Sequence, residues 1–205
     1  MDGPECDSDS LLDDSCLSNY RTLTAEEIAS NKFSSLKRAA HGMLLARKSK
    51  LLLGLYDMKA LMMMHMRLDG RIGFPGGVLD DGETPVEGLN REMKEEISLD
   101  LKKYSFEETD LVNVQINEKK GMLNYFYLKE VEYDDFIALE RNMMKAEHFG
   151  VEIMGNIRVP LPTMTDGQKG FPAFLSNHFA GNAKYNLLQG LLASGLMSEE
   201  EINLT

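Results

Sequence analysis

A chain of 205 residues, 43% of them hydrophobic, has enough apolar material for one domain with a sizeable core. No apolar run approaches the roughly 18 residues needed to cross a bilayer, and the acidic start "MDGPECDSDSLLDDSC" lacks the basic region of a signal peptide. The net charge of −11 argues against broad nucleic-acid binding. That charge is uneven. Residues 1–20 carry Asp2, Glu5, Asp7, Asp9, Asp13 and Asp14 with no lysine or arginine, whereas residues 21–50 set Arg21, Lys32, Lys37, Arg38, Arg47, Lys48 and Lys50 against Glu26 and Glu27. A locally basic surface stays open, beside the simpler reading of a solvated face. Cys6 and Cys16 are the two cysteines. With no disulfide framework to form, they read as reduced thiols of an intracellular protein.

Taken in chain order, residues 1–20 read as a disordered acidic tail and residues 21–205 as one domain. "TAEEIASNKFSS" predicts a short helix with a Thr24–Glu27 capping box. "AAHGMLLARK" and "ALMMMHMRLDG" read as strands with "LLLGLYD" between them, and the methionines around His65 read as core packing before a metal-binding cluster. After a glycine-rich turn, Thr84, Pro85 and Glu87 give the N-terminal signature of a helix: cap, first-position proline and capping box. "DLVNVQINE" and "MLNYFYLKEV" predict a hairpin around "KKG". "YDDFIALERNMMKAEHFG" predicts an amphipathic helix closed by Gly150. "VEIMGNIRVPL" returns to strand and "NAKYNLLQGLLASGLM" to helix. No internal repeat is visible, and the order of elements predicts a mixed sheet between helices.

At 100° per residue, Val86, Leu89, Met93 and Ile97 fall in one stripe of the helix that starts at Pro85. Glu92, Glu95 and Glu96 fall within an arc of about 100° beside it. Like charges so spaced repel, so either Arg91 bridges Glu87 and Glu95, or the three carboxylates are hard oxygen ligands for Mg²⁺ or Mn²⁺. The upstream spacing decides between these. Gly77, five residues, Glu83, seven residues, then Arg91-Glu92-Met93-x-Glu95-Glu96 is the Nudix box, G-x5-E-x7-R-E-U-x-E-E-x-G-U. Its fixed positions match by chance about once in 10⁵ chains of this length. The chain is identified as a member of the Nudix superfamily on that box. Ser98 replaces the closing glycine, where a left-handed cap would cost a serine about 1 kcal/mol, so the helix end is expected to differ.

The resemblance implies an α/β Nudix fold, a mixed β-sheet sandwiched between α-helices. It also implies hydrolysis of a nucleoside diphosphate linked to another group, with Mg²⁺ or Mn²⁺ held by Glu92, Glu95 and Glu96. Gly76 would stand beside the metal as well, and Gly76 and Gly77 would let the backbone approach the pyrophosphate. Glu83 and Arg91 would lock the loop onto the helix. "MRLDGRIGFPGG", "EGLNRE", "HFGVEIMGNIRVPL" and "FPAFLSNHFAGNAK", within residues 37–196, further resemble the branch that decaps small nucleolar RNA and hydrolyses inosine diphosphates. That branch implies Glu152, in the strand after the second helix, as a further metal ligand, and His41 and Arg67 as nucleotide contacts. Phe74 would stack on the base or simply pack. Two positions depart from the branch. Val78 stands where a phenylalanine is usual, and Asn186 stands where a glutamine reads the purine. Asn182 is a substitute for that reader, or the cap of its helix. The resemblance also implies a homodimer, capped RNA as a partner, no membrane, and a place in the nucleus, nucleolus and cytoplasm. Hydrolysis of ADP-ribose, NAD or FAD caps is an alternative, as is a catalytically weak scaffold that binds RNA or protein.

Overall fold

The computed structural model of the protein describes residues 19–203. The acidic tail up to residue 18 and both cysteines lie outside them. Tyr20, which the expected boundary assigns to the tail, belongs to a strand.

The elements are β1 (Tyr20–Thr22), α1 (Ala25–Ala29), β2 (Lys37–Arg47), β3 (Leu51–Leu52), β4 (Tyr56–Asp57), β5 (Ala60–Arg67), β6 (Ile72–Gly73), β7 (Gly76–Val78), α2 (Pro85–Ile97), α3 (Leu101–Tyr104), β8 (Leu111–Asn117), β9 (Met122–Glu130), α4 (Tyr133–Asn142), β10 (Ile153–Arg158), α5 (Phe171–Leu175), α6 (Ala183–Ala193) and α7 (Glu199–Asn203). The main sheet runs β1-β8-β9-β2-β5-β10, with β6 paired to β5 and β7 to β2. β2 and β9 are parallel, whereas β8–β9, β2–β5 and β5–β10 are antiparallel. The sheet is therefore mixed, as expected. The segment "LLLGLYD" forms its own small hairpin, β3–β4.

Successive side chains of a strand point to opposite faces, so a strand covered on both sides needs no polar alternation. β5 shows this. Met62 and Met64 pack with Met43, Leu45 and Phe126 under Phe171 of α5 and Leu187 and Leu191 of α6. Leu61 and Met63 pack with Leu44 and Ala46 under Leu89, Met93 and Ile97 of α2 and Phe136 of α4. Methionines that alternate between two cores cannot converge on one ion, and Met62, Met63 and Met64 are core residues.

Two expectations are corrected here. The helix of residues 133–150 stops at Asn142, followed by a 3₁₀ turn, Met143–Lys145. The reason is tertiary. His148 donates its N–H to the Glu95 carbonyl of α2 at 3.1 Å, and its own carbonyl accepts from the amides of Val151, Glu152 and Ile153. The chain folds around His148 instead of continuing to Gly150. As a result Glu152 lies in the turn just before β10, not in the strand.

Candidate active site

Local chemistry sets where α2 starts and how it ends. The Thr84 hydroxyl accepts the Glu87 amide at 3.2 Å, and the Glu87 carboxylate accepts the Thr84 amide at 2.9 Å, with Pro85 first in the helix. Ser98 adopts φ 56° and ψ 38°, the left-handed cap a glycine would make, and donates to the Lys94 carbonyl at 3.0 Å. The helix end therefore does not differ as expected, and the serine carries the conformational cost.

Leu89, Met93 and Ile97 are fully buried against the sheet and Val86 packs beside them, which turns the glutamates towards β7. Glu87 is committed to the cap, so the Arg91–Glu87 bridge of the alternative reading does not form. Arg91 grips Glu83 instead, with Nε and Nη2 at 2.9 and 3.1 Å, and donates from Nη1 to Glu92 at 2.9 Å and Glu95 at 3.1 Å. The Glu83 carboxylate also accepts the Asp80 amide at 2.8 Å, which ties the loop to the helix. The Arg91 bond holds Glu83 below the usual carboxylate range.

Two glycines let β7 approach. A Cβ on Gly76, at φ 126°, would strike the Ala40 carbonyl, and one on Gly77 would sit 2.7 Å from Glu92 Oε1. The Gly76 N–H donates to Glu96 Oε2 at 2.8 Å. Glu96 is 4% exposed. Burial first, with Glu92 and Glu152 adding, pushes its carboxyl up to about 8 against the Gly76 bond. Burial also raises Glu92, opposed by Arg91. His65 faces the same helix from β5. Its Nδ1 is 3.8 Å from Glu96 Oε2, and neither ring nitrogen has a hydrogen-bond partner among the described residues. Burial, then Arg67, pushes the ring down to about 3, so it is neutral.

Sequence reading missed His148. Its ring, Glu92 and Glu95 offer ligand atoms within 4.8 Å of one another, and its buried Nδ1 has no partner among the described residues. Glu96 and Glu152 stand outside that tightest group, though Glu152 is near enough to raise Glu96. His148 opens the stretch "HFGVEIMGNIRVPL", but sequence reading placed it at the end of α4 and drew only Glu152 from that stretch as a ligand. Carboxylate oxygens fit a hard divalent cation such as Mg²⁺ or Mn²⁺, and such an ion would favour the ionised form of Glu96, which holds its proton at neutral pH without metal.

Gly76 and Gly77 also border a cavity of about 510 Å³. His41, Arg67, Phe74, Asn182 and Asn186 all line it, so the residues expected to contact a nucleotide are brought together. Burial, then Arg67, pushes His41 down to about 4, leaving a neutral ring. Phe74 is buried and packs on Phe126 at 5.0 Å between ring centroids while still reaching the cavity wall. Asn182 occupies the cap position of α6 but makes no capping bond. Its Nδ2 donates to Gln115 Oε1 at 2.6 Å instead. Polar lining residues that the sequence did not suggest are Tyr20, Asp69, Arg71, Lys120 and Asn124. Among the charged lining residues, Arg67, Arg71 and Lys120 outnumber Asp69.

Residues 38–197 match the family described as "Nudt16-like: U8 snoRNA-decapping enzyme-like". A U8 snoRNA-decapping enzyme from Homalodisca vitripennis is 37% identical over 158 residues, 77% of this chain and 84% of that one. A Tudor-interacting repair regulator protein from Homo sapiens is 34% identical over 166 residues, 80% of this chain and 77% of that one. A mutT/nudix family protein from Listeria innocua superposes with a TM-score of 0.51 at 17% identity, over 82% of this chain and 98% of that one, a likeness of fold. With the box on α2, the sheet between helices and a family match over most of its length, the chain has the α/β Nudix fold and belongs to the Nudt16-like, U8 snoRNA-decapping enzyme-like family of Nudix hydrolases.

Proposed function

We propose that the protein is a metal-dependent diphosphohydrolase that cleaves the pyrophosphate of inosine diphosphate-type nucleotides and of capped RNA, releasing a nucleoside monophosphate. The observation that carries this reading is that the acid cluster and the cavity meet at one point, Gly76–Gly77. A nucleotide held in the cavity would present its phosphates there. Glu92, Glu95 and Glu96 would hold the cation, with His148, Glu152 and the Gly76 carbonyl beside them. A bound Mg²⁺ or Mn²⁺ supplies neutralisation of the phosphate oxygens and a lowered pKa for an attacking water. The chain's own groups do the rest. Arg67, Arg71 and Lys120 draw in the anionic substrate, and neutral His41 serves as a hydrogen-bonding group, not a charge. Arg91 and Glu83 keep loop and helix in register, so that the carboxylates stay fixed as charge develops. The likeness to decapping enzymes supports a nuclear place of action, and the family resemblance supports a homodimer.

The likeness to a Tudor-interacting repair regulator protein supports a second reading, a scaffold that binds a protein. The intact cluster favours the hydrolase. A carboxylate buried like Glu96 destabilises the fold, a cost that binding through an outer surface does not call for.

Purified protein with Mg²⁺ or Mn²⁺ should release monophosphate from inosine diphosphate and capped RNA faster than from ADP-ribose or FAD, and should lose all turnover in EDTA. Full activity after exhaustive chelation, or inertness towards the whole panel with metal present, would overturn the reading.

A further inference from the structure

The inner end of the cavity is walled by carboxamides from two sides. On one side, Asn124 of β9 lies directly across the ladder from Gln115 of β8. On the other, Asn182 and Asn186 stand four residues apart at the start of α6, on one helix face. The Asn182–Gln115 hydrogen bond joins the two walls. That bond leaves Asn124 and Asn186 at the cavity with capacity to spare. Asn124 is 5% and Asn186 2% exposed, and both line the cavity. Asn124 Nδ2 and Asn186 Oδ1 have no hydrogen-bond partner among the described residues.

Buried amide groups are nearly always paired, so an orphan donor and an orphan acceptor on two walls of one cavity point to a ligand that pairs them. The complement is a heterocycle edge with one acceptor beside one donor, the pattern of a nucleobase edge. We infer that Asn124 is a specificity-determining residue of this cavity, donating from Nδ2 to an acceptor of the base while Asn186 Oδ1 accepts from the donor beside it. The inference rests on the nucleotide reading above and deepens it. It assigns base choice to a strand residue of the β8–β9 hairpin as well as to the last helix. The Gln115–Asn182 pair is then the brace that keeps the two readers at a fixed separation. It also accounts for Asn186 in place of a longer side chain, since the second amide is supplied from β9.

The test uses equilibrium binding, so it does not depend on turnover. The full chain, wild type and Asn124→Leu, is titrated by calorimetry with inosine 5′-monophosphate, adenosine 5′-monophosphate and ribose 5-phosphate. Leu keeps the volume and removes both polar atoms. Wild type should bind one of the nucleotides about tenfold or more above ribose 5-phosphate, and the better one identifies the edge that is read. Asn124→Leu should lose about tenfold for that nucleotide and stay within about twofold for ribose 5-phosphate, the scale of one buried hydrogen bond left unmade. Equal loss for all probes would show a merely structural residue, and no loss would show that Asn124 does not touch the base. Either overturns the inference. Should the variant not fold, wild type alone decides. Purine riboside 5′-monophosphate lacks the donor of the inosine edge and the amino donor of the adenosine edge, so it should bind about tenfold below the preferred nucleotide. Equal binding would overturn the inference. Failure of the hydrolase reading looks different: nucleotide binding persists with no monophosphate released in the presence of Mn²⁺.

Discussion

Glu96 is the residue at which burial and charge conflict most sharply. Its folded pKa, about 8, lies above the ordinary value of 4.5, so without metal the folded chain holds a proton that the unfolded chain has released. Between roughly pH 4.5 and 8 the metal-free protein should therefore lose stability as pH rises, the contribution being complete below that window. Glu96→Gln removes this slope and keeps an acceptor for the Gly76 amide. Its melting temperature in EDTA at pH 8 should match or exceed wild type, while turnover falls by about 10³ or more, roughly 4 kcal/mol of transition-state stabilisation. Turnover above about a tenth of wild type would show that the carboxylate is not part of the chemistry. The glutamates were legible in the sequence because one helix carries them at fixed spacing, and the Arg91–Glu95 bridge was legible for the same reason. The Arg91–Glu87 bridge, weighed as the alternative and set aside, does not form because a capping box claims the same carboxylate. The burial of Glu96 was not legible at all. It depends on β7 lying against α2, which two glycines permit and no spacing announces.

At the scale of an element, α2 was readable because cap, proline, apolar stripe and box coincide over a few turns. Its end was half readable. A left-handed residue was foreseen at position 98, and so was its cost to serine, yet the expectation that the end would move was wrong. Packing of Ile97 and Leu99 on either side holds Ser98 in place, so the strain is absorbed instead of avoided. Ser98→Gly should accordingly raise stability by about 0.5–1 kcal/mol, the left-handed penalty less the added freedom of glycine when unfolded. Denaturant midpoints measure it, and kcat should be unchanged because the glutamates do not move. A loss of stability would mean that the serine side chain contributes more than its backbone costs. The helix α4 failed for the opposite reason. Its sequence pattern runs on to Gly150, but the backbone bond from His148 to Glu95 of α2 takes the segment out of the helix and brings an imidazole to the acid cluster. Propensity yields there to a contact between distant segments.

At the scale of the whole molecule, the box identified the fold while the cavity stayed hidden, because its walls come from β1, β2, the β5–β6 turn, β7, the β8–β9 hairpin and α6. Only the fold assembles them. The N-terminal boundary shows the consequence. Reading residues 1–20 as tail treats Tyr20 as expendable, yet Tyr20 pairs with Asn117 at the sheet edge and lines the cavity. Leu23, just beyond β1, is buried with Val114, Ile116 and Leu123, and its amide bonds the Val114 carbonyl at 2.8 Å. Two truncations should therefore behave differently. Removing residues 1–18 takes away acidic sequence outside the described residues, and nucleotide turnover should stay within a few-fold of wild type. Removing residues 1–23 also takes away the edge strand, one cavity wall and a buried leucine whose burial is worth about 1.5–3 kcal/mol. The melting temperature should then fall by about 3–10 °C. KM for the nucleotide should rise by roughly tenfold, the scale of a lost wall contact, with kcat less affected because the acid cluster is untouched. Steady-state kinetics and melting curves on both proteins separate these effects. A collapse of turnover in the shorter truncation would place the tail in the site, and an unchanged KM in the longer one would show that β1 plays no part in holding the substrate.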